Sequence, residues 1–359
     1  MLTEESKNIR FKQDCQTLVD GILDALEEAP EAILLCGGYG RGEGAWFEDE
    51  AGNPSPYNDY DLAVITEKPF SRDKYSKLRK RLANEIGINW VDIDCYTKAQ
   101  LSRMTSTIHN VDLFEASTVL WGNKDWKLGF RQPVASKIGK EDIIRLYTTR
   151  MWTFLGSLDK DTDKLDVASS RFFCNQMAKA VLAGCDMRLV AHRKYTTSYR
   201  ERVEIATKEF IDEKKYIELC EWAIREKLHP SSKILSLEEV RSLYERAYSF
   251  FMDSMRYSMG KDAESYLNPD KTKKYQMLHT NYPLILVYGY LRGNKKIKKA
   301  NDIFLAQNYV LRAYSPTGSY NAEYLRKASD ILLKYHYIEI SETDWRKLCL
   351  LTSSARNNI

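Results

Sequence analysis

A short apolar run halted by a cluster of glycines constrains this chain more than any other feature. Ala32 to Leu35 reads "AILL", and Gly37, Gly38, Gly40, Gly42 and Gly44 follow within eight positions. Four apolar residues stopped in this way predict a buried strand that enters a tight turn, because glycine reaches backbone conformations closed to other residues. After a polar stretch rich in turn formers, Glu48 to Asn58, "DYDLAVIT" alternates and then turns apolar, which predicts a strand paired with the first.

The surrounding pattern extends this into a small α+β unit. Leu18, Val19, Ile22 and Leu26 recur at helical spacing, so a helix is expected from about Gln13 to Glu28. "SRDKYSKLRKRLANEIG" predicts a basic helix, "INWVDIDCYT" a third strand, Ser102 to Ala116 a further helix, and "STVLWGN" a closing strand. Beyond Ile138 apolar residues keep helical spacing in "EDIIRLYTTRMWTFLGSL", "SSRFFCNQMAKAVLAGCDMRLVAHR", "KKYIELCEWAIREKL", "LEEVRSLYERAYSFFMDSMRYSM" and "NAEYLRKASDILLKYHYIEI". The expected organisation is therefore a mixed α/β domain over 1–135 and an α-helical domain over 136–359. "KLHPSSKILS" and "SPTGSY" read as connections, and "RGNKKIKKAN" as a solvated basic turn.

Composition narrows the function classes. With 359 residues, 43% hydrophobic and 29% charged, the chain is of ordinary globular composition. A net charge of +4, from 54 basic and 50 acidic residues, provides no global field for a polyanion. A cytoplasmic protein without membrane spans is expected, since the start is not of signal-peptide type and no 18 apolar residues run together. The seven cysteines are scattered without a CxxC pair, which fits reduced thiols. His109, His192, His229, His279 and His336 lack metal-ligand spacing and read as structural. Neither a P-loop nor a G-x-S-x-G sequence occurs.

Chemistry concentrates on the strands. A period of two places Asp59 and Asp61 on one face, and Asp92 with Asp94 likewise. Several carboxylates gathered on one side of a small sheet repel unless a cation sits among them, and hard oxygen ligands suit Mg²⁺. Two such ions can activate an attacking oxygen and neutralise a leaving phosphate. Glycine backbone amides approach phosphate closely, and Arg41 is available as a clamp.

Taken together, "LLCGGYGRGEG", "NDYDLAVI" and "WVDIDCY" resemble the signature of the polymerase-β-type nucleotidyltransferase superfamily over residues 30–96. The resemblance implies a nucleotidyltransferase fold and two Mg²⁺ ions held by Asp59, Asp61 and a third carboxylate. Asp92 is the first choice for that third position and Asp94 its rival. It also implies an NTP donor, ATP being expected, bound by Gly37, Gly38, Tyr39 and Arg41. Lys179 followed by Ser198 and Tyr199 is similar to the nucleotide-contacting residues of members that make second messengers.

Two departures from the signature are visible. Gly38 stands where serine is commoner, and the stretch Trp46 to Asn58 lengthens the connection before Asp59, reading as an ordinary surface hairpin or as an insertion at the cleft mouth that shapes acceptor recognition. Glu43, Glu48 and Asp49 would form an acidic rim suited to a cationic acceptor such as an aminoglycoside. A small-molecule or protein hydroxyl is therefore the expected acceptor, with nucleic acid less favoured. Alternatives are a second-messenger synthase, a tRNA-modifying nucleotidyltransferase, and a non-catalytic NTP-binding scaffold.

Overall fold

Apolar strands sandwiched by amphipathic helices form the first of two compact units in the computed structural model. The structure describes residues 3–49, 51–57, 59–68, 72–157, 165–272, 292–314 and 319–357. Unit 1 comprises Met1–Ile138, Tyr195–Glu204 and Arg225–Pro230; unit 2 comprises Gly139–Lys194, Ile205–Ile224 and Ser231–Ile359. The chain is thus of α+β type, and two short later segments complete the first unit.

Among the described residues of unit 1, four strands form a mixed sheet. β1 (Ala32–Leu35), β2 (Trp46–Glu48), β3 (Pro54–Pro56), β4 (Tyr60–Thr66), β5 (Val91–Thr97) and β6 (Thr118–Gly122) occur in chain order. The sheet order is β5-β4-β1-β6, with β1 antiparallel to both β4 and β6 and β4 parallel to β5. The expected pairing of the first two apolar runs is present, with Leu35 opposite Leu62. The stretch before Asp59, rich in turn formers and read as an ordinary surface hairpin, pairs as a separate hairpin, β2 with β3, Phe47 opposite Ser55. Glu50 and Asn58 of that stretch lie outside the described residues.

Pleating separates two cores. Tyr60, Leu62, Val64, Val91 and Ile93 face α1 (Glu4–Ala25), which contributes Leu18 and Ile22, and α3 (Arg72–Ile86), which contributes Leu78 and Leu82. Leu34, Ala63 and Ile65 face the other way, onto Leu101, Leu113, Phe114 and Trp126. Each fully buried leucine or isoleucine here contributes about 1.5–3 kcal/mol. α1 starts earlier than its apolar stripe suggests because Thr3 and Ser6 form a reciprocal cap. The helix expected from Ser102 to Ala116 begins only at Ile108, as α5 (Ile108–Ala116) capped by Thr107, and a separate turn capped by Thr97, α4 (Lys98–Leu101), precedes the expected range.

Unit 2 is helical. α6 (Lys140–Leu155), α7 (Val167–Ala191) and α10 (Leu237–Met259) pack together, and α7 is buried nearly all round, as its sparse polarity requires. α8 (Tyr199–Glu209) and α9 (Lys214–Leu228) precede α10 in the chain. Aromatic contacts such as Tyr147 stacked on Phe251 at 5.7 Å fill the core. The basic run at 292–301 is not simply a turn. Asn294 accepts from the amides of Lys296 and Ile297 and starts the helix Lys295–Ala313. His279 and residues 315–318 of "SPTGSY" lie outside the described residues. Among the described residues no helix is long and apolar enough to cross a membrane.

Candidate functional site

The glycine run folds as one helical turn, α2 (Gly37–Gly40), entered from Cys36. The Cys36 amide donates to the Asp61 carbonyl at 2.7 Å, which ties the turn to the start of β4. Gly37 has φ +61°, and a Cβ there would lie 1.9 Å from Asp61 Oδ2. Only glycine leaves room for that carboxylate, so the two motif elements require one another.

Parallel pairing then sets the carboxylates side by side. Asp61 is opposite Asp92 and Ala63 opposite Asp94, so Asp61, Asp92 and Asp94 share the face that farther along carries Ala63 and Ile65. Asp59 lies just before β4 and is exposed. The Asp61 carboxyl is pushed up to about 6, first by burial, then by the charges of Asp92 and Asp59, with Lys227 and Arg41 pulling the other way. Burial and the nearby Asp61 and Asp94 also raise the Cys36 thiol, so it remains protonated.

Asp92 and Asp94 differ in their surroundings. Asp92 accepts from Trp90 Nε1 at 2.8 Å and lies 4.0 Å from Arg79 Nη1. Asp94 is exposed and receives a long 3.5 Å hydrogen bond from Tyr96, whose hydroxyl also lies 2.6 Å from His109 Nε2. Among the described residues no three His, Cys, Asp or Glu side chains are grouped closely enough to hold a metal ion as they stand.

Other residues singled out in the sequence form a different kind of cluster. Glu43 is buried; its carboxylate accepts from Ser198 Oγ at 2.9 Å and from the amides of Tyr199 and Arg200 at 2.9 and 3.1 Å. It therefore caps α8 from a distant part of the chain, and it is not part of an exposed acidic rim. Arg41 lies 3.4 Å from Glu43 and 3.2 Å from Asp112, with the Tyr199 ring 4.7 Å from its guanidinium. Tyr195 donates to Asp112 at 2.8 Å, and Arg202 lies over both the Tyr195 and Tyr199 rings. Ser198, Tyr199 and Arg41 are thus brought together, within a network of protein contacts.

Tyr39 turns to the opposite side of the sheet from Asp61. It is buried against Tyr60 at 4.6 Å and Phe11 at 6.3 Å, and its hydroxyl donates to the Ala45 carbonyl at 2.5 Å. Lys179 is half-buried on α7 and belongs to unit 2, whereas Ser198 and Tyr199 belong to unit 1. Sequence reasoning missed Lys227 and Asp112. Lys227 is buried near the end of α9, yet within "IREKLHP" it carries no motif that distinguishes it from a surface lysine.

No protein-family model matches this chain, and neither a curated protein nor a solved structure shows a significant match to it.

Proposed function

We propose that the chain is a Mg²⁺-dependent nucleotidyltransferase, transferring a nucleoside monophosphate from an NTP, with ATP the expected donor, to a hydroxyl of a small molecule or protein. The observation that carries this reading is the placement of Asp61 beside Asp92, with Asp59 adjacent, against a Gly37 that has room for no side chain. Burial first, and then the charges of Asp92 and Asp59, push the Asp61 carboxyl up to about 6, and a divalent cation would offset both, so the donor set suits a hard metal.

Asp59, Asp61 and either Asp92 or Asp94 would hold two ions. Bound Mg²⁺ neutralises phosphate charge and favours deprotonation of a hydroxyl. The glycine turn allows phosphate oxygens close to the backbone, and Lys227 and Arg41 add positive potential near Asp61. In transfer, the acceptor oxygen bonds to the α-phosphorus, the bond to the pyrophosphate oxygen breaks, and the acceptor proton passes to a carboxylate, Asp92 being our first choice.

The test is calorimetric titration of the four NTPs with and without Mg²⁺, alongside pyrophosphate release with candidate hydroxyl acceptors. Mg²⁺-dependent binding lost in Asp59→Ala/Asp61→Ala, with release that needs an acceptor, supports the reading. Equal binding in the folded double mutant sinks it.

A second reading, an NTP-binding scaffold without turnover, draws on the absence of a ready metal-holding group among the described residues. Mg²⁺-dependent binding without pyrophosphate release under any acceptor would select it. The second-messenger alternative loses part of its pointer, because Ser198 bonds Glu43 and the Tyr199 ring lies against Arg41.

A further inference from the structure

We infer that unit 1 carries a second binding site, a cavity of about 290 Å³ behind the glycine turn, and that its ligand is a small ring-bearing oxyanion. This goes beyond the nucleotidyl-transfer reading and does not depend on it.

The cavity lies on the far side of the sheet from the carboxylates. Its wall includes Tyr39, which packs on Tyr60, and Tyr60 points away from the face that bears Asp61. Phe11 of α1 and Trp46 of β2 join Tyr39 there, the Trp46 ring meeting Tyr39 edge-on at 5.8 Å. A flat ring finds stacking and edge partners among such side chains. The volume falls just below the roughly 300–1,000 Å³ typical of ligand pockets, which suits one ring.

Charge decides the rest. Lys7, Arg200 and His229 line the cavity, and so do Glu4 and Glu43. Glu43 is spent internally on the start of α8, and Lys7 pairs with Glu4 at 2.8 Å. The Arg200 guanidinium has no hydrogen bond, ion pair or ring contact among the described residues, although the Arg200 backbone amide is held by Glu43. A cation of fork geometry left without a carboxylate, in a lining that also carries aromatic rings, is suited to a phosphate or carboxylate attached to a ring.

Construction from separate segments argues for a built cavity. Its lining comes from α1, the glycine run, β2, the first turn of α8 and the end of α9, all within unit 1. Gly42 contributes an open stretch of wall, with φ +72° and nothing within 4 Å of a Cβ placed there. Because this wall continues the turn that begins at Gly37, an occupant would touch the same loop that meets Asp61 from the other side.

The experiment titrates phenyl phosphate, benzoate, inorganic phosphate and benzyl alcohol into the full chain by calorimetry, with EDTA present. At least one ringed anion is expected to bind ten-fold or more tightly than inorganic phosphate or benzyl alcohol; phenyl phosphate against benzoate then identifies the head group. Arg200→Gln should weaken that binding at least five-fold with an unchanged melting temperature, because only its amide serves the fold. Lys7→Gln gives an independent variant, expected to weaken binding by a smaller factor. Asp61→Asn should leave the affinity unchanged. Failure of both ringed anions to saturate at millimolar concentration, equal binding without the ring, or indifference to Arg200→Gln would overturn the site. Loss in Asp61→Asn would do so too, by placing the ligand on the carboxylate face. Since no nucleotide or metal is used, each result stands apart from the fate of the proposed transferase activity.

Discussion

Two charged clusters flank the same glycine turn, and their difference separates a site from a scaffold. Around Arg41, Glu43, Asp112 and Arg202, opposite charges interleave at 3.2–3.5 Å with aromatic faces between them, and every group has a partner from the chain. Around Asp61 burial comes first and the carboxylates of Asp92 and Asp59 add to it against the opposing charges of Lys227 and Arg41, and its carboxyl is pushed up to about 6. Compensated charge fixes a fold, whereas like charge gathered at a partly buried place is strained until a cation arrives. Glu43 therefore holds α8, and Asp61 is the residue on which the proposed chemistry rests.

The largest expected effect is on the acidic face. Asp61→Asn should lower pyrophosphate release by at least about a thousand-fold, as removal of a metal-holding carboxylate does, while circular dichroism stays native. Retention of wild-type turnover would break the comparison at its centre. Gly37→Ala comes next: its Cβ would collide with Asp61 Oδ2 in a left-handed conformation, so a loss of about 1–3 kcal/mol in urea unfolding is expected together with lost nucleotide binding.

On the compensated side, Glu43→Ala removes three capping hydrogen bonds and leaves Arg41 with one carboxylate fewer. A stability loss of about 2–4 kcal/mol is expected. If stability is unaffected but turnover disappears, Glu43 belongs to the chemistry and the division fails.

A smaller effect sharpens the contrast through pH. The folded Asp61 carboxyl titrates at about 6, against 3.8 for an unperturbed aspartate, so between these values the native chain binds more protons than the unfolded one. Stability should fall as pH rises through that window, and the strain is fully present above 6. Asp61→Asn should therefore be more stable than the parent by about 1–3 kcal/mol at pH 7.5, with the difference vanishing near pH 4. Denaturant titrations across pH 4–8 in EDTA read it, and added Mg²⁺ should narrow the gap. The least separated pair is Asp92→Asn and Asp94→Asn: whichever reduces turnover more names the third carboxylate, and inactivity of Asp94→Asn alone would displace Asp92.

Much of the local plan was legible beforehand. The strand and turn at Ala32–Gly44, the alternation in "DYDLAVIT" and "WVDIDCY", and the helices after Ile138 follow from periodicity and glycine, which act within a few residues. Helix boundaries were less readable, because Thr97, Thr107 and Asn294 place new starts that apolar spacing does not mark. The hairpin at Trp46–Pro56 was legible as one of two readings, because its turn formers fit a surface hairpin as well as a loop at the cleft mouth. Glu43 was misplaced on an acidic rim because its partners at the start of α8 stand 155 residues or more away in sequence.

Sequence alone thus determined which residues could share a face: a two-residue period puts Asp92 with Asp94 within β5, whatever lies around them, whereas Asp59 stands just before β4. Only the tertiary structure decided that Asp61 and Asp92 stand opposite one another in a parallel pair, that Gly37 yields its side-chain space to Asp61, and that Glu43 reaches α8. Periodicity is a property of neighbouring peptide units. Register, close approach and charge compensation depend on groups far apart in the chain, and only folding brings them within the few ångströms over which they act.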